Sequence, residues 1–130
     1  MEQKSIVKDK KILVIEDEPM LLEMYQVAFE TAGLNVLTAP NGETGWQVIQ
    51  QTPDLVLLDV KMDDISGLEI LKRLQDKPEL KNNLIIWMLS NVGEEAVSQE
   101  TLRLGAEEYI MKTKITPSEL VAKIKARLGI

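Results

Sequence analysis

The sequence predicts an α/β fold, a doubly wound five-stranded parallel sheet with helices on both faces. Two observations lead to this prediction. Short apolar segments alternate with helical patterns from one end of the 130 residues to the other, and such alternation produces parallel strands joined by crossover helices. The apolar segments also lack polar alternation, which is typical of strands covered on both faces.

The first half of the sequence contains two strand–helix units. Residues 12–15 predict the first strand, and Pro19 suits the first turn of a helix that Gly33 ends. Residues 35–38 predict a weaker strand, after which Asn41 can cap the second helix. Both helices carry apolar side chains at helical spacing, so each has one face to bury.

The second half contains three further units. Residues 55–58 predict the third strand, which a loop connects to the third helix, and residues 84–89 predict the fourth strand. The helix predicted over residues 94–104 has a poor apolar stripe, which is typical of a weakly held, mobile element. Residues 108–111 predict the fifth strand, and the last helix runs from a cap at Ser118 to Gly129.

Length limits the organisation of the chain. Its 130 residues, 45% of them hydrophobic, suit one domain over residues 11–130 after a loose lead-in over residues 1–10. The N-terminus lacks the apolar core of a signal peptide, and no apolar run is long enough to cross a bilayer. We therefore expect a soluble, cytoplasmic protein that contacts no membrane.

Charge and residue types narrow the chemistry. The 15 Lys+Arg residues against 21 Asp+Glu give a formal net charge of −6, which repels nucleic-acid phosphates, so we expect no direct nucleic-acid binding. The chain has no Cys and no His, which excludes disulfides, thiolate or imidazole catalysis and a phosphohistidine within this chain. The remaining carboxylates, amines and hydroxyls suit a hard cation such as Mg²⁺.

Polar side chains stand where four of the five predicted strands end. Glu16 and Asp17 follow the first strand, Asp59 the third, Ser90 the fourth and Lys112 the fifth. Ligands of open parallel sheets bind at the edge formed by these strand ends. Carboxylates in one crevice repel one another unless a cation such as Mg²⁺ neutralises them. This set of groups suits phosphoryl transfer, in which an aspartate can itself be the nucleophile.

Four segments resemble the receiver domain of two-component response regulators, in the order and spacing of that family. They are ILVIEDEP (12–19), DLVLLDVKMDDISGLEIL (54–71), IIWMLS (85–90) and GAEEYIMK (105–112), and the resemblance extends over residues 11–128. It implies the flavodoxin-like strand order 2-1-3-4-5, in which the first and third strands are neighbours and their terminal acids converge. The chain resembles the single-domain receivers of the chemotaxis type in particular.

The resemblance implies a phosphorylation site with bound Mg²⁺. Asp59 resembles the phosphoacceptor, and Lys112 resembles the lysine that assists it. Asp17 is implied as a direct Mg²⁺ ligand and Glu16 as a ligand through water. Asp59 itself and the backbone carbonyl of Lys61 complete the implied metal site.

The resemblance also implies a switch rather than a metabolic enzyme. Ser90 resembles the hydroxyl that moves to the phosphoryl group, and Tyr109 the aromatic ring that turns inward after it. The packing of the helix over residues 94–104, the fifth strand and the last helix then shifts, which changes a protein-binding surface and can support a homodimer. The implied partners are a histidine kinase or phosphotransfer protein as donor and a downstream protein as target. Because we expect 130 residues to leave no room for an attached DNA-binding domain, the output is expected to pass through that target. Self-catalysed dephosphorylation is implied as well.

Three residues depart from the family pattern. Asp63 stands where the family commonly has Pro, and Asn91 stands where a small residue usually follows the switch hydroxyl. Thr113 replaces the Pro that usually follows the lysine, and the Lys-Pro bond is typically cis. A cis Lys112–Thr113 bond would cost roughly 3 kcal/mol, so we predict a trans bond there.

Other interpretations stay open. Taken singly, the acids can be helix-terminal or loop carboxylates, Ser90 a backbone-bonded hydroxyl, Lys112 a surface ion pair and Tyr109 a packing aromatic. The chain can also be a receiver-like interaction module that works without phosphorylation, which equal partner affinity of the wild type and Asp59→Asn would favour. A Mg²⁺-dependent phosphohydrolase similar to haloacid dehalogenases needs a second Asp where this chain has Lys61.

Overall fold

The computed structural model describes residues 9–130, so most of the expected lead-in over residues 1–10 lies outside the described residues. Strands and helices alternate along the chain. The strands are β1 (Lys11–Ile15), β2 (Asn35–Ala39), β3 (Leu55–Leu58), β4 (Ile85–Ser90) and β5 (Glu108–Met111). The helices are α1 (Pro19–Thr31), α2 (Gly42–Ile49), α3 (Gly67–Gln75), α4 (Pro78–Lys81), α5 (Glu95–Arg103) and α6 (Pro117–Leu128), and a 3-10 turn covers Lys112–Lys114.

The five strands form one parallel sheet in the order β2-β1-β3-β4-β5. The predicted doubly wound fold and strand order are therefore confirmed. Ile15 at the end of β1 pairs with Leu58 at the end of β3, and Leu58 pairs with Met88 near the end of β4. Because β1 and β3 are neighbours where the strand order reverses, the residues that follow them meet at the switch point of the sheet.

Successive residues of each strand fill two cores on opposite faces of the sheet. Leu13 and Ile15 of β1 pack with the side chains of α2, α3 and α4, whereas Ile12 and Val14 pack with those of α1 and α6. All four side chains are at most 1% exposed. This double coverage explains why the strand sequences show no alternation of polar and apolar residues.

The predicted signals at the ends of α1 and α2 match the structure. Pro19 takes the first turn of α1, and Gly33, with a φ of 86°, follows the end of that helix. The Asn41 side chain caps α2 by accepting a hydrogen bond from the Thr44 N–H over 2.7 Å. These residues supply the partners and the backbone conformation that helix ends need.

The start of α6 differs from the prediction, because Ser118 is not its cap. Thr116 caps the helix by accepting from the Glu119 N–H, and the Glu119 carboxylate accepts from the Thr116 N–H. This reciprocal capping box, with Pro117 at the first helical position, places Ser118 inside the first turn. Gly129 ends the helix in a left-handed conformation, as predicted.

Three further features bear on the sequence predictions. Among the described residues of α5, Thr101 alone is buried, in agreement with the poor apolar stripe. The one-turn helix α4 was not predicted. The described part of the chain contains no cis peptide bond, so the bond between Lys112 and Thr113 is trans, as predicted.

None of the helices within residues 9–130 has the length and apolar character needed to cross a membrane. The longest of them, α1, has 13 residues, whereas a spanning helix needs about 20.

Candidate functional site

An open cleft of about 490 Å³ lies at the carboxyl edge of the sheet. It is lined by Glu16, Asp17, Glu18, Leu21, Asp59, Lys61, Ser90, Asn91, Val92, Gly93, Glu94 and Lys112. Six of the seven residues singled out from the sequence therefore line one cleft, and the seventh, Tyr109, contacts its wall through Val92. The sequence patterns did not indicate the lining contributed by Leu21 and by the segment after Asn91.

Backbone bonds of the sheet position two of the acidic residues. The Glu16 N–H donates to the Ala39 carbonyl over 3.1 Å, and the Asp59 N–H donates to the Ile15 carbonyl over 3.2 Å. One carboxylate oxygen from each of Glu16, Asp17 and Asp59 lies within 4.8 Å of the other two. These ladder bonds thus hold Glu16 and Asp59 at neighbouring strand ends, and Asp17 adds a third carboxylate beside them.

Lys112, the first residue of the 3-10 turn after β5, lies between two of these carboxylates. Its Nζ donates to Asp59 Oδ2 over 2.8 Å and also to a Glu16 oxygen, and the Lys112 side chain is 9% exposed. Burial lowers the pKa of Lys112, but the hydrogen bonds with Asp59 and Glu16 outweigh it and hold that pKa above its usual value. The ammonium therefore stays charged and offsets part of the acidic cluster.

Glu16 is 3% exposed, and burial is the largest influence on the pKa of its carboxyl group. Burial raises its pKa above the usual value, although the Lys112 ammonium and the Glu18 N–H, which donates to Glu16 Oε2 over 3.0 Å, act in the opposite direction. The cleft therefore holds a carboxylate whose negative charge is costly to maintain and which a cation would stabilise.

The donor set fits a hard cation. Three carboxylate oxygens converge within 4.8 Å, and the cleft also contains Lys61, whose N–H lies 3.4 Å from Asp59 Oδ1. Oxygen ligands and negative charge are what Mg²⁺ requires, and it retains waters in sites that protein atoms fill only in part. Glu16, Asp17 and Asp59 are thus able to hold Mg²⁺.

Ser90 and Tyr109 meet at the connection between β4 and α5. Ser90 is completely buried, and its Oγ accepts from the Val92 N–H over 3.1 Å. The Tyr109 hydroxyl donates to the Val92 carbonyl, and burial raises the pKa of Tyr109. Ser90 and Tyr109 therefore both bond to the backbone of Val92, the first to its N–H and the second to its carbonyl. Because only backbone atoms of Val92 take part, its residue type does not indicate these contacts.

The loop after Asp59 contacts the Asp17 carboxylate through a backbone amide. The Asp63 N–H donates to Asp17 Oδ2 over 3.0 Å. Proline, the residue that the resemblance leads one to expect at this position, has no N–H and cannot make this bond. The departure at Asp63 thus has a structural consequence at the site. Asn91 is exposed but lines the cleft, whereas Thr113 is exposed and lies outside its lining.

Comparisons with known proteins agree with this arrangement. The sequence profile of the response regulator receiver domain matches residues 12–125. The chain is 42% identical over 120 residues to the phosphate regulon transcriptional regulatory protein PhoB of Pseudomonas aeruginosa, covering 92% of this chain and 52% of that protein. It is 36% identical over 121 residues to the alkaline phosphatase synthesis transcriptional regulatory protein PhoP of Bacillus subtilis, covering 92% and 49%. The chain thus spans about half the length of these curated relatives.

A solved structure supports the same assignment. A CheY-like response regulator receiver domain protein from Methanospirillum hungatei superposes with a TM-score of 0.84 at 28% identity, over 94% of this chain and 95% of the other. Fold, sequence profile and relatives agree over nearly the whole chain. We conclude that the chain belongs to the response regulator receiver domain family of two-component systems.

Proposed function

We propose that this chain is a phosphoacceptor domain in which Asp59 receives a phosphoryl group from a partner's phosphohistidine, and that this transfer switches a protein-binding surface. The position of the Asp59 carboxylate carries the proposal. It is 6% exposed, paired with Lys112 over 2.8 Å, and gathered with oxygens of Glu16 and Asp17 in an open cleft. A buried carboxylate with a cation on one side and further acids on the other suits phosphoryl transfer.

In the proposed transfer, a carboxylate oxygen of Asp59 attacks the phosphorus of the donor. The new O–P bond replaces the N–P bond of the phosphohistidine, whose electron pair returns to the imidazole. Lys112 holds Asp59 Oδ2, which leaves Oδ1 beside the Lys61 N–H at 3.4 Å. Mg²⁺ held by Glu16, Asp17, Asp59 and the Lys61 carbonyl would supply charge neutralisation. Attack of water on the same phosphorus then releases inorganic phosphate and restores Asp59.

The proposed switch depends on the hydrogen bonds made by the backbone of Val92. A phosphoryl group on Asp59 adds charge and acceptor oxygens beside Ser90 and Lys112. When Ser90 Oγ turns to that group, it gives up the bond that it accepts from the Val92 N–H, and the Tyr109 hydroxyl is tied to the carbonyl of the same residue. Val92 lies three residues before the start of α5, which is weakly buried, so a shift of this segment changes the surface formed by α5, β5 and α6.

The proposed partners are proteins. The donor is a histidine kinase or phosphotransfer protein, because the chain contains no His of its own. The recipient is a downstream protein, or a second copy bound through α5, β5 and α6. With a net charge of −6, the domain itself is expected to attract neither nucleic acid nor an anionic membrane surface, and we propose that it acts in the cytoplasm.

Intact-mass measurement tests this proposal. Incubation with Mg²⁺ and a small phosphodonor is expected to add the mass of one phosphoryl group to the wild type and none to Asp59→Asn. Asp54→Asn is the matched control, because Asp54 lies before β3, where its Oδ2 accepts from the Lys11 N–H, and it should still gain the group. No mass gain in the wild type, or a gain that survives Asp59→Asn, would overturn the proposal.

A further inference from the structure

We propose that Asp64 is a positioning residue for this site, because it ties the loop over residues 60–66 to the start of α2 and so holds the Asp63 amide against Asp17. The inference rests on the proposed function of Asp59 for its biological meaning. The contacts that carry it belong to a different part of the chain, outside the lining of the cleft.

The Asp64 carboxylate joins two segments that are distant in sequence. Its Oδ1 accepts from the Gly42 N–H over 3.0 Å, and its Oδ2 accepts from the Glu43 N–H over 2.8 Å. These are the first amides of α2, which lack partners within the helix and carry its positive end. Burial favours the neutral acid, but the bonds from Glu43 and Gly42 outweigh it and lower the pKa of Asp64 below its usual value. The tie is therefore a charged one at neutral pH.

Helix α2 is a firm support because its backbone lies directly on its neighbours. A Cβ atom at Gly45 would lie 2.5 Å from the Cδ1 atom of Ile15, the residue before Glu16. A Cβ atom at Gly42 would lie 2.4 Å from Ile65 Cγ1 and 2.9 Å from the Ile65 carbonyl oxygen. The same helix thus touches both the end of β1 and the loop after Asp59, so it fixes the distance between them.

On the side of the cleft, two backbone amides attach the loop to the acidic residues. The Asp63 N–H donates to Asp17 Oδ2 over 3.0 Å, while the Lys61 N–H reaches Asp59 Oδ1 over 3.4 Å, which is long for a hydrogen bond. A proline would restrict φ at position 63, but Asp63 leaves that torsion free. The side chain of the adjacent Asp64 restricts the loop instead, because its hydrogen bonds anchor this segment to α2. The loop then presents the Asp63 amide, and the Lys61 backbone, in one place.

An ordinary helix cap is the competing explanation. Helix α2 already has one, since Asn41 Oδ1 accepts from the Thr44 N–H over 2.7 Å. Asn41→Ala therefore removes a cap from the same end of the same helix without removing the tie to the loop. It costs about 1 kcal/mol and provides a matched control for Asp64→Ala.

Two measurements on the protein without phosphodonor test the inference. Hydrogen exchange of the metal-free protein is expected to be faster over residues 60–66 in Asp64→Ala. Calorimetric titration should give a Mg²⁺ dissociation constant about tenfold higher than that of the wild type, because the Asp63 amide is then no longer held against Asp17. About tenfold is the lower end of the effect of losing a hydrogen bond to a metal ligand. Asn41→Ala should leave both quantities within about twofold of the wild type. Asp64→Asn removes the charge but keeps an acceptor oxygen, so its Mg²⁺ affinity should lie between those of the wild type and Asp64→Ala.

The inference is overturned if Asp64→Ala binds Mg²⁺ no more weakly than Asn41→Ala, or if it does so without faster exchange over residues 60–66. Asp64→Asn as weak as Asp64→Ala would also overturn it, since loss of charge alone would then explain the effect. If Asp64→Ala does not fold, Asp64→Asn is compared with Asn41→Ala on the same two measurements. Since no phosphodonor is present, failure of Asp59 to accept a phosphoryl group would be seen separately.

Discussion

Lys112 is the residue on which the charge balance of the cleft depends. Its ammonium lies between the carboxylates of Glu16 and Asp59, and all three side chains are at least 91% buried. A buried ion pair adds little stability by itself, but removal of one partner leaves the others uncompensated. The lysine therefore has two roles. It takes part in the proposed transfer, and its positive charge allows the carboxylates of Glu16 and Asp59 to lie side by side.

We expect Lys112→Met, which keeps the length of the side chain without its charge, to lower the free energy of unfolding by about 3 kcal/mol at pH 8. The loss should shrink toward pH 5, because the folded variant can then neutralise Glu16 by protonation, a change that burial already favours. Urea unfolding at both pH values measures this. Lys123→Met is the control, since its pair with Glu108 is more than one-third exposed and should change stability by less than about 1 kcal/mol. Equal losses for the two variants would contradict the prediction.

Glu107 connects two elements at the opposite side of the sheet from α2. It accepts from the buried Trp87 Nε1 over 2.9 Å and from the Arg127 guanidinium over 2.8 and 2.9 Å, and so joins β4 to α6. The hydrogen bond from Arg127, helped by that from Trp87, outweighs burial and lowers the pKa of Glu107 from 4.5 to about 2. A carboxylate with a lowered pKa in the folded state stabilises the fold above its unfolded-state pKa and loses this contribution as the pH falls.

We therefore expect Glu107→Gln to cost about 1 kcal/mol at pH 7, after allowance for the partial exposure of Glu107 and Arg127. The difference between wild type and variant should disappear as the pH falls from 4.5 to about 2, the window between the two pKa values. Denaturant unfolding at a series of pH values gives this difference directly. Glu108→Gln, which removes an exposed pair with Lys123, should show neither the cost nor the pH dependence. A difference that persists at pH 2 would refute this account of Glu107.

The fit of α2 on the sheet is a property of that element. A Cβ atom at Gly45 would lie 2.5 Å from Ile15 Cδ1 and 2.8 Å from two further carbons of the same fully packed side chain. Gly45→Ala gains about 1 kcal/mol of helix propensity, but overpacking costs typically 1–3 kcal/mol. We expect a net loss of about 1 kcal/mol in thermal or urea unfolding, whereas Gln47→Ala, on the exposed side of α2, should be neutral or slightly stabilising. A stabilised Gly45→Ala variant would mean that the helix can move away from β1.

The elements were predictable where a local rule acts alone. Uniformly apolar strands and the cap at Asn41 follow from burial and from helix-end chemistry, and the structure has both. The cap of α6 was misplaced because Thr116 and Ser118 are both good caps. Only the pairing of Thr116 with Glu119 around Pro117 decides between them. The short helix α4 has too few residues to show a periodic pattern.

The gathering of polar residues at the sheet edge was also predictable, because strand ends in a parallel sheet must meet there. What could not be predicted are contacts made by backbone atoms across loops. Three such contacts depend on loop conformation. They are the hydrogen bond of Tyr109 to the Val92 carbonyl, that of the Asp63 amide to Asp17, and those of the Asp64 carboxylate to α2. Residue type carries no signal for such contacts.

At the scale of the whole molecule, the cleft lies at the edge of the sheet, beside segments that lead to helices on both faces. Glu16 and Asp59 follow central strands, and Lys112 links them to β5 and to the turn that leads into α6. Val92 connects the same cleft to α5. Under the proposed function, a change of charge at Asp59 would therefore act on elements from both faces of the sheet, as expected of a local modification that alters a distant surface.

The same clustering predicts that Mg²⁺ stabilises the whole fold. The folded chain gathers three carboxylates within 4.8 Å, whereas the unfolded chain separates them, so Mg²⁺ binds the folded state in preference. Binding to one state adds RT ln(1 + [Mg²⁺]/Kd), about 2.7 kcal/mol at a hundredfold excess over Kd. We expect the unfolding temperature to rise with Mg²⁺ and the rise to be largely lost in Asp17→Asn. Asp54→Asn should keep the full response, and NaCl of equal ionic strength should produce only a small one, because screening acts on all charges alike. An equal Mg²⁺ response in Asp17→Asn and Asp54→Asn would show that the ion acts on the surface in general and that these three carboxylates do not form a metal site.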